Sequence, residues 1–410
     1  MNRKIYIIEP HEDSFFSIPS YMRGKNFNAK YKFLLEEKNW SNYLELGNIF
    51  FINTKKDETK NKFEDWRNEN KLTSNILFKE IKYIELNSKN ILFISSTKLI
   101  GIWKDHWKDL IEISQKLNLV IIINHYLWKV NELSKIFNKL DSSFLLCERS
   151  PLVYSDYLEN NEILALKKHK VIEIPYVPNQ ELIKCRSKKK KYKCAIVGQT
   201  HKLWKSHPFF KKTGFNYFHK LRNKLRKKYL KNTINKTVFS YYGPKIKIEF
   251  NIIIDKLINN YYLKRFLLSL KLYNFLKYKN KKIQQYEIRK YYRETKPFKE
   301  IFSEYSIVLC GEEDILKLPV LGFFEAMMAG SIPLGSLNNY YQKLGMKKDI
   351  HYLSFDGTYE DAERKIKELK NNPEKVNYLI KESIEFIDNE LSPNALVGKI
   401  LQSIDTFYLI

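Results

Sequence analysis

The stretch LGFFEAMMAGSIPLG (321–335) is apolar except for Glu325 and Ser331. A carboxylate among so many apolar neighbours is rarely buried without a partner or a task. The pattern predicts a helix that begins near Pro319, a residue suited to a first turn, and stops at Gly330, which fits the left-handed position after a helix. Residues 331–334 then enter a strand. The start of such a helix offers free N–H groups and a partial positive charge to a phosphate. Glu325, about two turns in, is placed to accept hydrogen bonds from the vicinal hydroxyls of a ribose. A salt-bridged glutamate on a partly exposed helix accounts for the same residues equally well.

The elements that must position this segment read as α/β. Strand-like runs occur at 4–10, 48–54, 90–96, 119–124, 143–148 and 170–175, with amphipathic stretches at 107–117 and 127–140 between them. Apolar, β-branched runs alternating with helices predict a parallel sheet covered on both faces. A polar, basic stretch at 177–193 reads as a linker. A second series follows at 194–200, 237–243, 305–311 and 331–336, with helices at 359–371, 374–388 and about 393–408. The expected organisation is a first Rossmann-like domain over 1–176, the linker 177–193, a second over 194–390, and a last helix over 391–410 crossing back to the first. The fold class expected is α/β, two tandem Rossmann-like doubly wound domains facing a cleft, with a basic helical insertion in the second.

That insertion, about 205–295, carries the charge. The chain has 410 residues with 72 Lys and Arg against 46 Asp and Glu, a net of +26. Residues 181–300 alone hold 34 basic against 6 acidic residues, so the rest of the chain is near balance. Such a segment faces an anionic partner. Ile254, Leu257, Ile258, Tyr261, Leu268, Leu272, Phe275 and Leu276 share a helical face within it, interrupted by Arg265. That face suits packing on the domain with a solvated basic side, or an interfacial helix resting on anionic lipid. No helix-turn-helix, RNP-like or zinc-finger pattern accompanies the charge, which disfavours nucleic acid. The four cysteines lack metal-type spacing, and no secretory leader or membrane-length apolar run is present. The expected location is cytoplasmic, peripheral on the inner face of the cell membrane.

FFEAMMAGSIPLGS resembles the nucleotide-sugar-binding signature of GT-B glycosyltransferases, matching it at Glu325, Ala326, Met327, Ala329, Gly330 and Pro333. VGQTHKLWK (197–205) is similar to the family's strand–glycine–loop segment, with Lys205 at the lysine position. Gln199 replaces the usual arginine, and His201 and Lys202 are the cations at hand. The resemblance implies that Glu325 binds the donor's ribose, and that Gly198, Thr200, Lys202, Lys205, Gly322 and Gly330 belong to the donor-nucleotide site. Many retaining members carry a further glutamate eight residues before the first. Here that position is Lys317, expected to bind phosphate, while Glu312, Glu313 or Asp314 could contact the sugar. A strict D-x-D motif is absent, so no metal and no cofactor are expected beyond the nucleotide-sugar substrate. Cations and helix N-termini would hold the leaving-group charge instead.

An inverting enzyme also needs a general base from the first domain. EPHEDSF (9–15) offers His11, Glu12 and Asp13 at the carboxyl end of a strand, where α/β sites are built. INHYLW (123–128) places His125 at the end of another, and retaining relatives carry a histidine in a similar place. His11, Asp13 and His125 are therefore the candidate catalytic residues, each of them explicable also as a polar loop residue or a satisfied histidine. Tyr126 and Trp128 suit a sugar ring or a core. The reading is transfer of a sugar to a glycan or lipid-linked acceptor in bacterial capsule or lipopolysaccharide assembly. A non-catalytic GT-B-like partner, a nucleic-acid-binding protein and a transferase using a cytidine nucleotide are the alternatives. No nucleophile triad or P-loop supports a hydrolase or kinase.

Overall fold

The computed structural model describes residues 3–407 apart from 13–15, 17–29, 46, 55–59, 74, 78–80, 82–83, 124–125, 179, 198–207, 216–220, 223, 226–238, 243–297, 311–320 and 337–338. Most of the basic insertion, with the helical face assigned to it, lies outside the described residues.

The first domain runs β1 (Ile5–Ile8), β2 (Ile49–Ile52), α1 (Lys60–Glu69), β3 (Asn75–Leu77), β4 (Ile91–Ser95), α2 (Ser96–Lys116), β5 (Asn118–Ile122), α3 (Val130–Lys139), β6 (Phe144–Cys147), α4 (Asn160–Lys167) and β7 (Lys170–Glu173). Its seven strands are parallel in the order β3-β2-β1-β4-β5-β6-β7. Successive side chains enter opposite cores: Ile5 and Ile7 belong to one buried cluster, Tyr6 and Ile8 to the other. That alternation is what burial on both faces requires of a parallel strand.

The second domain runs β8 (Lys191–Val197), α5 (Pro208–Thr213), β9 (Phe239–Tyr242), α6 (Phe298–Glu304), β10 (Tyr305–Leu309), α7 (Leu321–Met328), β11 (Ile332–Ser336), α8 (Asn339–Lys343), β12 (Leu353–Phe355), α9 (Tyr359–Lys370), α10 (Pro373–Glu390) and α11 (Pro393–Phe407). Its sheet is parallel in the order β12-β11-β10-β8-β9. The expected pair of doubly wound sheets is therefore present. Within 177–193, a 3-10 turn at Gln180–Cys185 buries Leu182 and Cys185, and the last residues already belong to β8.

Several contacts join the two halves. Leu396, Val397, Ile400, Leu401 and Ile404 of α11 share a buried cluster with Ile5 and Ile7 of β1. Near the end of the same helix, Asp405 pairs with Arg3, and Phe407 meets Phe144 edge-on at 5.6 Å. On the other side, Phe209 of α5 buries against Leu127, and Lys212 lies 3.3 Å from Glu162.

Candidate active site

In an open α/β sheet, ligands bind outside the carboxyl ends of the strands where the strand order reverses. In the second sheet that point lies between β8 and β10, and α7 starts there. Gly322 packs directly on it: a Cβ built there would stand 3.0 Å from Cys310 Sγ and 4.0 Å from Val197 Cγ2. A side chain there would press on the Cys310 thiol, which would have to give by a few tenths of an ångström, while Val197 stands at ordinary contact distance. Gly322→Val is expected to push α7 outward and cost about 1–3 kcal/mol by overpacking, read as a lower urea midpoint.

The far end of α7 is held as firmly. Gly330 adopts φ +69, and its N–H donates to Met327 O while Ser331 N–H donates to Ala326 O, the paired bonds that close a helix at a left-handed residue. Arg186 Nε donates to Met328 O at 2.9 Å, and Lys190 donates to Ala329 O. The last carbonyls are thus satisfied by side chains from the segment leading into β8. The expected end of the helix at Gly330 is confirmed. The expected start near Pro319 lies outside the described residues, within which the helix runs from Leu321.

Glu325 stands between these anchors, buried with 6% of its surface exposed. No ion pair or hydrogen bond engages its carboxylate among the described residues, and burial pushes its pKa up from 4.5 to about 7. The salt-bridged, partly exposed glutamate is thereby excluded. A buried carboxylate without donors is a poor structural element but a prepared acceptor for hydroxyl groups. Its field reaches the Cys310 thiol at the end of β10, as does that of Arg222. Arg222 is itself buried and donates through Nε to Cys310 O at 2.7 Å. This buried guanidinium, contributed by the basic insertion, was not legible as a site residue: its neighbours LRNKLRKK look like any solvated basic run.

Of the other donor-site candidates, Gly198, Thr200, Lys202, Lys205 and Lys317 lie outside the described residues, as do His201, Gln199 and Glu312–Asp314. Among the catalytic candidates, Asp13 and His125 lie outside them too. His11 is described, half-buried on a 3-10 turn at Pro10–Glu12, with its ring edge-on to Phe63 at 4.2 Å. Tyr126 is core: 2% exposed, its hydroxyl 3.1 Å from Ser134 Oγ. Glu9, Thr54 and Lys98, which surround His11 and Glu12, went unremarked in the sequence.

Neither a family model nor a curated protein matches the sequence. A glycosyltransferase from Rickettsia africae ESF-5 superposes with a TM-score of 0.50 at 11% identity over 99% of both chains. HepE from Anabaena, crystallised with UDP and glucose, aligns at TM-score 0.49 and 10% identity over 99% of this chain and 100% of its own. TarM aligns at 0.40 and 12% identity, covering 79% of this chain and 56% of its own. Identity at this level speaks for the fold alone. The full-length likeness to the Rickettsia structure, with the two parallel sheets and the returning helix α11, gives the GT-B fold. No helix among the described residues is long and apolar enough to cross a membrane.

Proposed function

We propose that this chain is a glycosyltransferase that takes a sugar from a nucleotide-sugar donor held by the second domain. One observation carries the reading: Glu325 is a buried carboxylate with no donor among the described residues, on a helix whose first turn packs against the strand ends at the switch point of the second sheet. Two ribose hydroxyls would satisfy that carboxylate in its ionised form. The N-terminal turn of α7 and the guanidinium of Arg222 would face the diphosphate. Lys205, Lys202 and Lys317 remain the further phosphate ligands proposed from the motif, Gly198 and Thr200 the backbone that approaches it. Departure of the nucleoside diphosphate then rests on fixed cations and helix dipoles rather than on a metal.

The acceptor is assigned to the first domain, with His11, Asp13 and His125 as candidate bases. A glycan or lipid-linked acceptor in surface-polysaccharide assembly is supported by the charge excess at 181–300, which suits an anionic membrane surface. Sedimentation with vesicles of anionic and of neutral lipid tests this part: equal binding to both defeats it.

The donor reading is tested by thermal unfolding with UDP, GDP, CDP, CMP, ADP and dTDP. At about 100 times its dissociation constant a ligand of the native state adds roughly 2.7 kcal/mol. One nucleotide should stabilise the wild type and leave Glu325→Ala unmoved. Equal stabilisation of both proteins, or of neither, overturns the assignment.

A further inference from the structure

The first sheet has a switch point of its own, between β1 and β4, and five polar side chains meet at its carboxyl edge. Glu9 follows β1 directly, with a left-handed backbone (φ 48) that is uncommon for a residue with a side chain. Its side chain is 1% exposed. Glu9 Oε1 accepts from the backbone N–H of Thr54 at 2.9 Å and from the Thr54 hydroxyl. Glu9 Oε2 is equally buried and accepts no hydrogen bond among the described residues. It points at Lys98 Nζ, 3.6 Å away on the first turn of α2.

Lys98 sits closer to a second carboxylate. Its ammonium donates to Glu12 Oε2 at 2.5 Å, and the other oxygen of Glu12 lies 3.6 Å from His11 Nε2. Side-chain exposure rises outward along this row, from 1% at Glu9 through 17% at Lys98 to 26% at Glu12. The outer end is therefore the part a ligand meets, while the inner end holds an acceptor oxygen that lacks a donor. Ligand atoms of Glu9, His11 and Glu12 also lie within 4.8 Å of one another, a spacing that suits a cation. The ammonium of Lys98 already stands between the two carboxylates, however, and a divalent ion would have to expel it.

We propose that Glu9, Lys98 and Glu12 form a saccharide-hydroxyl site in which a sugar hydroxyl takes the place of Lys98 on Glu12, and Lys98 moves to the waiting oxygen of Glu9. The hydroxyl donates to Glu12 and accepts from Lys98, so each group keeps a full set of partners. A neutral polyol fits this donor–acceptor pair. An anionic ligand meets two carboxylates against one lysine, and a cationic ligand competes with Lys98. Glu12 and Lys98 touch the sugar, and Glu9 is a positioning residue that acts through Lys98. The choice of a saccharide rests on the transferase reading, whereas the two-position lysine rests on the geometry alone.

The test uses the full chain without nucleotide and a panel of neutral methyl glycosides, with binding followed by saturation-transfer NMR. At least one glycoside should bind the wild type. Glu12→Gln and Lys98→Met should each weaken it about tenfold or more, the effect of losing one charge-assisted hydrogen bond. Glu9→Gln should weaken it too, although Glu9 never reaches the sugar, and Thr54→Val, which loosens only the grip on Glu9 Oε1, should weaken it less. Nucleotide stabilisation of the second domain reports the fold of every variant and should persist in all four. Unchanged affinities, or no glycoside bound by the wild type, overturn the proposal. So does stabilisation of the wild type by Mn²⁺ alone that Glu12→Gln abolishes, which would make the cluster a cation site. If no nucleotide stabilises any protein while the glycoside series behaves as expected, the donor reading fails and this site stands. The reverse pattern leaves the donor reading standing and this site refuted.

Discussion

Glu325→Gln is expected to stabilise the chain at pH 8 by about 3 kcal/mol and to remove its affinity for a nucleotide in the same step. The carboxyl has a folded-state pKa of about 7 against an ordinary value of 4.5, and burial is the cause. Below pH 4.5 the group is protonated in both the folded and unfolded chains and contributes no pH dependence. Between pH 4.5 and 7 the unfolded chain loses its proton first, so stability falls as pH rises. Above about 7 the folded chain also ionises and the loss levels off. Glutamine has the shape of the neutral carboxyl and escapes the penalty, so the variant should gain stability at pH 8 and match the wild type at pH 4. Urea unfolding at the two pH values reads this directly; the same difference at both would mean that Glu325 does not hold its proton. The functional side follows from the same burial. In the proposed donor site ribose hydroxyls would donate to the ionised form, so nucleotide affinity in the wild type should rise with pH through about 7. A site whose empty state is destabilised by its own ligand-binding carboxylate trades stability for affinity, and the variant should reverse that trade.

Where local spacing carries the information, the sequence is readable. β1, β2, β4, β5 and β6 are apolar runs whose burial on both faces leaves little else to infer. The helix stop at Gly330 follows from a glycine between an apolar helical run and SIPLG, and the bonds at Met327 and Ala326 are those the pattern calls for. β3 and β12 escaped notice because each has three residues and lies at a sheet edge, where periodicity has too few positions to register. α2 is broken at His106 (φ −127, ψ 24), so the amphipathic stretch 107–117 matches its second part, while the first part, capped by Ser95 accepting from the N–H of Lys98, escaped notice. The candidate site divides along the same line. Glu325, Gly322 and Gly330 lie within one short motif and announce themselves. Glu9 and Lys98 are joined only because β1 pairs with β4, and Arg222 reaches Cys310 only through the packing of the second domain. Such partners have no spacing to be read.

A second large effect is expected where the two domains meet. Lys30 Nζ lies 2.6 Å from Glu148 Oε1, donates also to the Tyr176 hydroxyl, and stands 3.9 Å from the centre of the Tyr176 ring. Burial lowers the pKa of Lys30, and Glu148 is what keeps the ammonium charged. Lys30→Met would leave the carboxylate of Glu148, only 15% exposed, without its counter-charge. The expected loss is about 2–3 kcal/mol, below the range for a fully buried pair because both groups still reach solvent. Lys30→Met with Glu148→Leu should recover most of it, since the cost arises from the orphaned charge rather than from the missing bond. Two additive single effects in a urea double-mutant cycle would sink this account. The consequence extends across the cleft. The carbonyl of Glu148 accepts from the Tyr340 hydroxyl of α8 at 2.6 Å, and the guanidinium of Arg149 lies 5.0 Å from the centre of the Tyr340 ring. A residue that settles its own charge within the first domain thus also presents its backbone to the second. Loosening Glu148 should therefore weaken the Tyr340 contact, and Tyr340→Phe should cost less in the Lys30→Met background than in the wild type.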